Sequence, residues 1–207
     1  PAFTFKSKLE NIMLQIPAKK ILKKADYIFT YGGKVKKILH DLKIPNSKMQ
    51  IQYGGVENSN IIDEEKLNQN SPRIRFLYIG RNTRRKGYCE LKKAINRLSS
   101  NLNIEFGFIG PINEKDKINK GWIKYFGEIK NTIDYYNIID KHDVLIITSI
   151  SEGFPTIIPE CMSRGLTVLT TDVGAITDIV NPNNGIIISP NNIDSIKNGI
   201  EEFSNLK

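Results

Sequence analysis

Six short apolar runs, each closing on glycine, threonine or serine and each separated from the next by a stretch of different periodicity, fill the sequence from Arg73 onward. They are Ile74–Gly80, Ile104–Gly110, Trp122–Gly127, Asp143–Thr148, Leu166–Thr171 and Gly185–Ser189. Helical patterns occupy about 88–100, 131–141, 156–164 and 175–180, and the chain closes with another at 191–206. Strand and helix alternating this often predict a parallel sheet covered on both faces. Several of the runs are almost continuously apolar, as strands buried on both sides must be. The expected fold class is therefore α/β, a doubly wound parallel sheet spanning 73–207.

Upstream, Ala25–Gly32 reads as a strand, GKVKKILHDL as a helix and KMQIQYGGVE as a second strand ending in a Gly54-Gly55 turn. Two β units without a sheet to complete them suggest that 1–58 is the C-terminal remnant of a preceding Rossmann-like domain. The polar stretch 59–72, rich in Asn and acids and closed by Pro72, is read as a linker.

At 207 residues and 40% apolar content the chain can bury a sizeable core, and no apolar run approaches the roughly 18–20 residues that span a bilayer. The start at Pro1 reads as a cut or processed chain. Cys89 and Cys161 stand far apart, which suits a reducing compartment, so a cytoplasmic location is expected. His40 and His142 lack ligand-spaced companions, and no metal site is expected. The net charge of +8 resides in the first fifty residues, with 11 Lys against 3 acids, while the rest balances at 19 against 19. There Lys19, Lys20, Lys23 and Lys24 cluster beside Ile12, Leu14, Ile16, Ile21 and Leu22. This pattern fits either a peripheral contact with an anionic membrane or a solvated helix face. Aromatic residues do not interleave with the lysines, so nucleic acid is not an expected partner.

Ligands of an open parallel sheet gather at the carboxyl ends of the strands. After Ile74–Gly80 the loop GRNTRRKG places Arg81, Arg84, Arg85 and Lys86 just before a helix. Cations are unfavourable at that end of a helix, so a phosphate or diphosphate is the natural companion, with a solvated basic loop as the alternative. After Asp143–Thr148 comes SEGFPTIIPE. Gly153 allows a sharp turn or a close approach, Pro155 fixes a φ suited to helix entry, and Thr156 is positioned to cap. Open N–H groups near Thr156, Ile157 and Ile158 would form an anion site. Of Glu152 and Glu160, one can accept from a ribose diol and the other can face a sugar or reaction centre. A sugar-nucleotide site is expected, though a glutamate at a strand tip is often merely solvated. Trp122, Tyr125 and Phe126 read as core, Cys161 as a small buried helix residue and His142 as the end of a helix.

With ADYIFTYG, IQYGGVE, IGRNTRRKG, YFGEI, the long HDVLIITSISEGFPTIIPECMSRG run and NGIII, the chain resembles the C-terminal domain of retaining glycosyltransferases of family four over roughly residues 20–190. These have the two-Rossmann GT-B fold. The resemblance implies that Arg81 and Lys86 hold the donor diphosphate with the amides of Thr156 and Ile157. It implies that Glu160 binds the ribose, that the loop near Ile129 receives the base, and that Glu152 contacts the transferred hexose near its reacting carbon beside Gly153, Phe154 and Pro155. It further implies a UDP- or GDP-linked donor, no metal or other cofactor, and retention through same-face attack, while the lysine-rich N-terminal segment points to a lipid-linked or envelope saccharide as acceptor at the inner face of the membrane. Pro155 stands where the family usually has Gly, and Gly54-Gly55 where it usually has Asn-Gly. The chain would be mainly the donor-binding half, inactive alone. A non-catalytic nucleotide-sugar-binding or interaction module, and an epimerase on the same scaffold, are the alternatives.

Overall fold

A computed structural model describes residues 17–62 and 71–205. They divide into two compact units between Tyr53 and Gly54. In the first, residues 17–24 are helical, followed by β1 (Ile28–Thr30), α1 (Gly33–Asp41) and β2 (Met49–Ile51). β1 and β2 pair in parallel from Ile28 opposite Met49 to Thr30 opposite Ile51, a pairing that requires the α1 crossover. Leu39, Ile44 and Met49 form its small core, with Leu22, Ile28 and Leu42 packed against them. Of the lysine-rich N-terminal segment, Ile12, Leu14 and Ile16 lie outside the described residues, while Ile21 is exposed. Among the described residues no helix is long and apolar enough to cross a membrane.

The second unit carries all six strands expected from the apolar runs: β3 (Ile74–Ile79), β4 (Ile104–Ile109), β5 (Ile123–Gly127), β6 (Val144–Ile147), β7 (Thr167–Thr171) and β8 (Gly185–Ile188). They form one sheet in the order β5-β4-β3-β6-β7-β8, every pairing parallel. The helices are α2 (Tyr88–Asn96), α3 (Thr132–Ile139), α4 (Ile157–Met162) and α5 (Ile193–Ser204). Alternation along each strand divides the core between the two faces. On one, Phe76, Tyr78, Phe106, Phe108 and Ile146 pack with residues of α2 and α5; on the other, Leu77, Leu145 and Ile147 meet Ile139, Ile158 and Cys161. β6 is buried along its whole length, which is why Val144–Ile147 is uniformly apolar. Each such fully buried aliphatic side chain contributes about 1.5–3 kcal/mol relative to exposure.

The caps explain where the helices begin and end. Asn131 accepts from the N–H groups of Ile133 and Asp134, and Asn192 from that of Ser195. The helix expected at 175–180 is instead a single 3-10 turn, Ile176–Asp178. Its apolar spacing is real, but Gly174 at φ 60° and Pro182 bracket it and leave no length for a helix. The expected linker is described only in part, since 63–70 lie outside the described residues. Its first residues pack onto the end of α4, Ile62 N–H donating to Ser163 O at 3.0 Å and Arg164 to Asn60 O at 3.1 Å.

At the amino end of the sheet, His142 packs over β4: a Cβ added to Gly107 would lie 2.3 Å from its Nε2. Its Nδ1 lies 2.6 Å from the Ile138 carbonyl, and burial lowers its pKa below the ordinary 6.5. The unfolded chain therefore binds this proton first as the pH falls. The associated stability is complete above about pH 6.5 and is lost as the pH drops through the folded-state value. Urea titrations at about pH 7 and about pH 5 should show a shallower loss for His142→Gln than for the wild type. Equal losses would contradict the assignment.

Candidate functional site

The chain runs outward from β3 in two directions, to β4 and β5 on one side and to β6, β7 and β8 on the other, so the order reverses between β3 and β6. Such a reversal opens a crevice at the carboxyl ends, because the connections on its two sides lie on opposite faces of the sheet. Those two ends are the ones that carry GRNTRRKG and SEGFPTIIPE.

Backbone geometry fastens one loop to the other. Arg84–Lys86 form a single 3-10 turn, and Gly87 leaves it at φ 66° to start α2. A Cβ at Gly87 would stand 1.8 Å from Thr148 O, so this position admits only glycine at this approach. Thr148 Oγ1 donates to Gly87 O at 3.0 Å, and Ile150 N–H donates to Arg85 O at 2.8 Å. A third segment supports the far side of the motif. Gly174 packs so closely that its Cβ would be 2.4 Å from the carbonyl oxygens of both Glu152 and Gly153, while Ala175 N–H donates to Gly153 O at 2.9 Å.

The consequence is a charge cluster. Lys86 Nζ donates to Glu152 Oε1 at 2.7 Å, Ser149 Oγ donates to the same oxygen at 2.7 Å, and Arg85 reaches Oε2 at 3.3 Å. The Glu152 side chain is only 7% exposed and Lys86 25% exposed, whereas Arg85 is 61% exposed. A carboxylate this buried is costly unless it is paired and hydrogen-bonded, as Glu152 is here. Lys86 also lines a crevice with Ile79, Pro155 and Ile157, so the basic loop and the start of α4 face one another.

α4 corrects one expectation. Thr156 is its N-cap residue but already has helical angles, φ −58° and ψ −23°, and its side chain makes no capping bond. A capping hydroxyl needs an extended backbone to reach the N–H groups ahead of it. The Ile158 N–H, expected to be open, donates instead to Pro155 O at 3.0 Å. The N–H groups of Thr156 and Ile157 have no hydrogen-bond partner among the described residues.

Beside this crevice, and sharing Ile79 with it, lies a cleft of about 390 Å³ lined by Gly80, Arg81, Ile109, Ile129 and Tyr135. Arg81 thus stands with the expected base loop rather than in the Lys86 crevice. Glu160 reaches the cleft through Tyr135, whose hydroxyl donates to Glu160 Oε2 at 3.2 Å. Burial first, and the Glu160 charge second, raise the Tyr135 pKa above its ordinary value and keep the hydroxyl a donor. Phe154 approaches Gly54, where a Cβ would be 3.1 Å from its ring. A separate groove of about 350 Å³, lined by Arg75, Trp122, Lys124, Lys141 and His142, opens at the opposite, amino ends of the strands.

The sequence reading brought no role to Ser149, Tyr135 or Gly174. A lone Ser and a Tyr in a helix carry no motif signal. Gly174 follows an apolar strand in a way that suggests only a turn.

Residues 59–207 match the family described as glycosyl transferases group 1. The chain is 29% identical over 129 residues, 61% of its length, to TuaC, a glycosyltransferase assigned to teichuronic acid biosynthesis in Bacillus subtilis (strain 168). It is 23% identical over 171 residues, 79% of its length, to the capsular polysaccharide biosynthesis glycosyltransferase CapM of Staphylococcus aureus. It spans 32% and 42% of those two proteins. Among solved structures, the apo lipopolysaccharide outer core galactosyltransferase WaaB superposes with a TM-score of 0.74 at 21% identity, over 87% of this chain and 53% of that one. HepE of Anabaena in complex with UDP gives 0.73 at 15% identity, over 91% and 57%. These likenesses establish the shared α/β fold, and the match over most of its length shows that the chain belongs to the glycosyl transferases group 1 family.

Proposed function

We propose that the chain is the donor-binding part of a glycosyltransferase that moves a hexose from a nucleoside diphosphate to a saccharide acceptor with retention of configuration. The observation that carries this reading is the meeting of Lys86, Arg85 and Glu152 at the point where the strand order reverses. In this reading the donor diphosphate lies between Lys86 and the N–H groups of Thr156 and Ile157, with Arg81 at the neighbouring cleft. Glu160 binds the pentose, and the base lies against Ile129. Glu152, with the backbone of Gly153, Phe154 and Pro155, faces the transferred sugar.

The chemistry follows from charge. As the bond between the anomeric carbon and the diphosphate oxygen breaks, negative charge grows on the leaving oxygen. Pre-positioned cations and amides stabilise that charge more than they stabilise the bound donor. Lys86 is then shared between the phosphate and Glu152. Same-face attack lets the leaving oxygen accept the proton of the acceptor hydroxyl as the new bond forms. Glu160, committed to the pentose, takes no part at the reacting carbon.

The family membership and the UDP complex of HepE support a UDP- or GDP-linked donor. The names of TuaC and CapM support an envelope polysaccharide as the product, made at the inner face of the membrane, which the lysine-rich N-terminal segment would touch. In this layout 1–58 is the remnant of an acceptor domain, 59–72 a linker and 73–207 the donor domain. Isothermal calorimetry with UDP and with GDP tests the reading: the folded chain should bind at least one of them, and binding of neither contradicts it.

A further inference from the structure

Resting on that reading, we infer that Tyr135 is a positioning residue that aims Glu160 at the pentose and so makes donor binding depend on a pentose hydroxyl. Three observations converge on it. Tyr135 leaves α3 to line the cleft that also holds Arg81 and Ile129. Its hydroxyl donates to Oε2 of Glu160, and Oε1 has no hydrogen-bond partner among the described residues. Its ring is fixed from behind, since Tyr136 packs against it edge to face at 5.4 Å and Arg164 sits 5.2 Å from the centre of the Tyr136 ring. Arg164 is itself held by Asp140, with Nε donating to Oδ1 at 2.7 Å.

The physical argument concerns the two oxygens of one carboxylate. Glu160 lies in α4, and without Tyr135 only its own χ angles would orient its carboxylate, which would then lose side-chain entropy when a ligand fixed it. The Tyr135 hydroxyl fixes Oε2 before any ligand arrives. That leaves Oε1 as the acceptor for a hydroxyl entering the cleft. A pentose hydroxyl bonded to a pre-oriented carboxylate is a charge-assisted hydrogen bond, and an analogue lacking that hydroxyl leaves Oε1 without it. Discrimination of this kind, built from a polar group, exceeds what an apolar pocket achieves between ligands that differ by one oxygen.

The test is a binding cycle by calorimetry with UDP, 2′-deoxy-UDP and 3′-deoxy-UDP on the wild type and on Tyr135→Phe, which keeps the ring and removes only the hydroxyl. Wild type should bind UDP about tenfold tighter than at least one deoxy analogue. Tyr135→Phe should lose most of that preference, weakening UDP several-fold while leaving that analogue unchanged. Equal weakening of UDP and both analogues would overturn the inference, as would a preference in Tyr135→Phe as large as in the wild type. Thermal melting of both proteins excludes a folding effect. Should neither protein bind UDP or any analogue, GDP and its deoxy forms replace them. If no nucleotide binds at all, it is the donor-binding reading that fails, and this inference with it. Glu160→Gln serves as the internal reference, since it should abolish the preference whether or not Tyr135 is present.

Discussion

Gly87→Ala should lower the thermal midpoint by about 10 °C, the sum of two costs near 3–4 kcal/mol at roughly 2–4 °C per kcal/mol for a chain of this size. The first cost is conformational: Gly87 sits at φ 66°, where a side chain is disfavoured by about 1–2 kcal/mol. The second is steric. The new Cβ would lie 1.8 Å from Thr148 O, a backbone atom on a buried strand end that has no flexible terminus to swing aside. Relief requires the basic loop to lift away from β6, which breaks the Thr148 and Ile150 hydrogen bonds that hold Lys86 beside Glu152. Nucleotide binding should therefore fall together with stability. Gly121→Ala is the control, since a Cβ there meets nothing within 4 Å. Differential scanning fluorimetry on both variants gives the comparison, and a shift for Gly87→Ala no larger than for Gly121→Ala would contradict the close packing.

Lys86→Ala should weaken UDP about ten- to a hundredfold, the worth of one charge-assisted hydrogen bond, while changing uridine affinity by no more than about twofold. The contrast between the two ligands separates loss of the diphosphate contact from general damage to the cleft. A second consequence follows from the partner left behind. Glu152 is 7% exposed, and without Lys86 it keeps only Ser149 and the mostly exposed Arg85. An uncompensated buried carboxylate destabilises by about 1–3 kcal/mol, and neutralising it as well should restore much of the loss. Urea unfolding of Lys86→Ala, Glu152→Gln and the double variant reads that coupling. Additive losses would show that the pair contributes nothing. An equal fall in UDP and uridine affinity would remove Lys86 from the diphosphate.

The sheet was legible because strands buried on both faces must be apolar throughout. Phe76, Leu77 and Tyr78 are almost completely buried although successive side chains point to opposite layers, and no surface face interrupts the signal. Helix lengths were less legible, since spacing alone does not distinguish a helix from a single turn. Ala175, Ile176 and Val180 are buried as helical periodicity suggests, yet Gly174 and Pro182 confine them to one 3-10 turn. The two strand-end motifs were readable as charged loops, but their meeting was not. Lys86 and Glu152 are 66 positions apart, and what joins them is the order of strands β3 and β6 together with the close approach at Gly87. Thr156 looked like a capping residue by type, but its own backbone is already helical and its side chain makes no capping bond. Tyr135 carried no sequence signal because its role depends on a hydrogen bond to Glu160 across 25 positions.

The central claim is that Lys86 and the start of α4 hold the diphosphate while Glu160 holds the pentose of one nucleotide. A crystal structure of the chain grown with UDP tests this most directly. The account predicts phosphate oxygens within hydrogen-bond distance of Lys86 Nζ and of the Thr156 and Ile157 amides, with a pentose hydroxyl on Glu160 and the base against Ile129. UDP seated elsewhere, with Lys86 still paired only to Glu152, would contradict it.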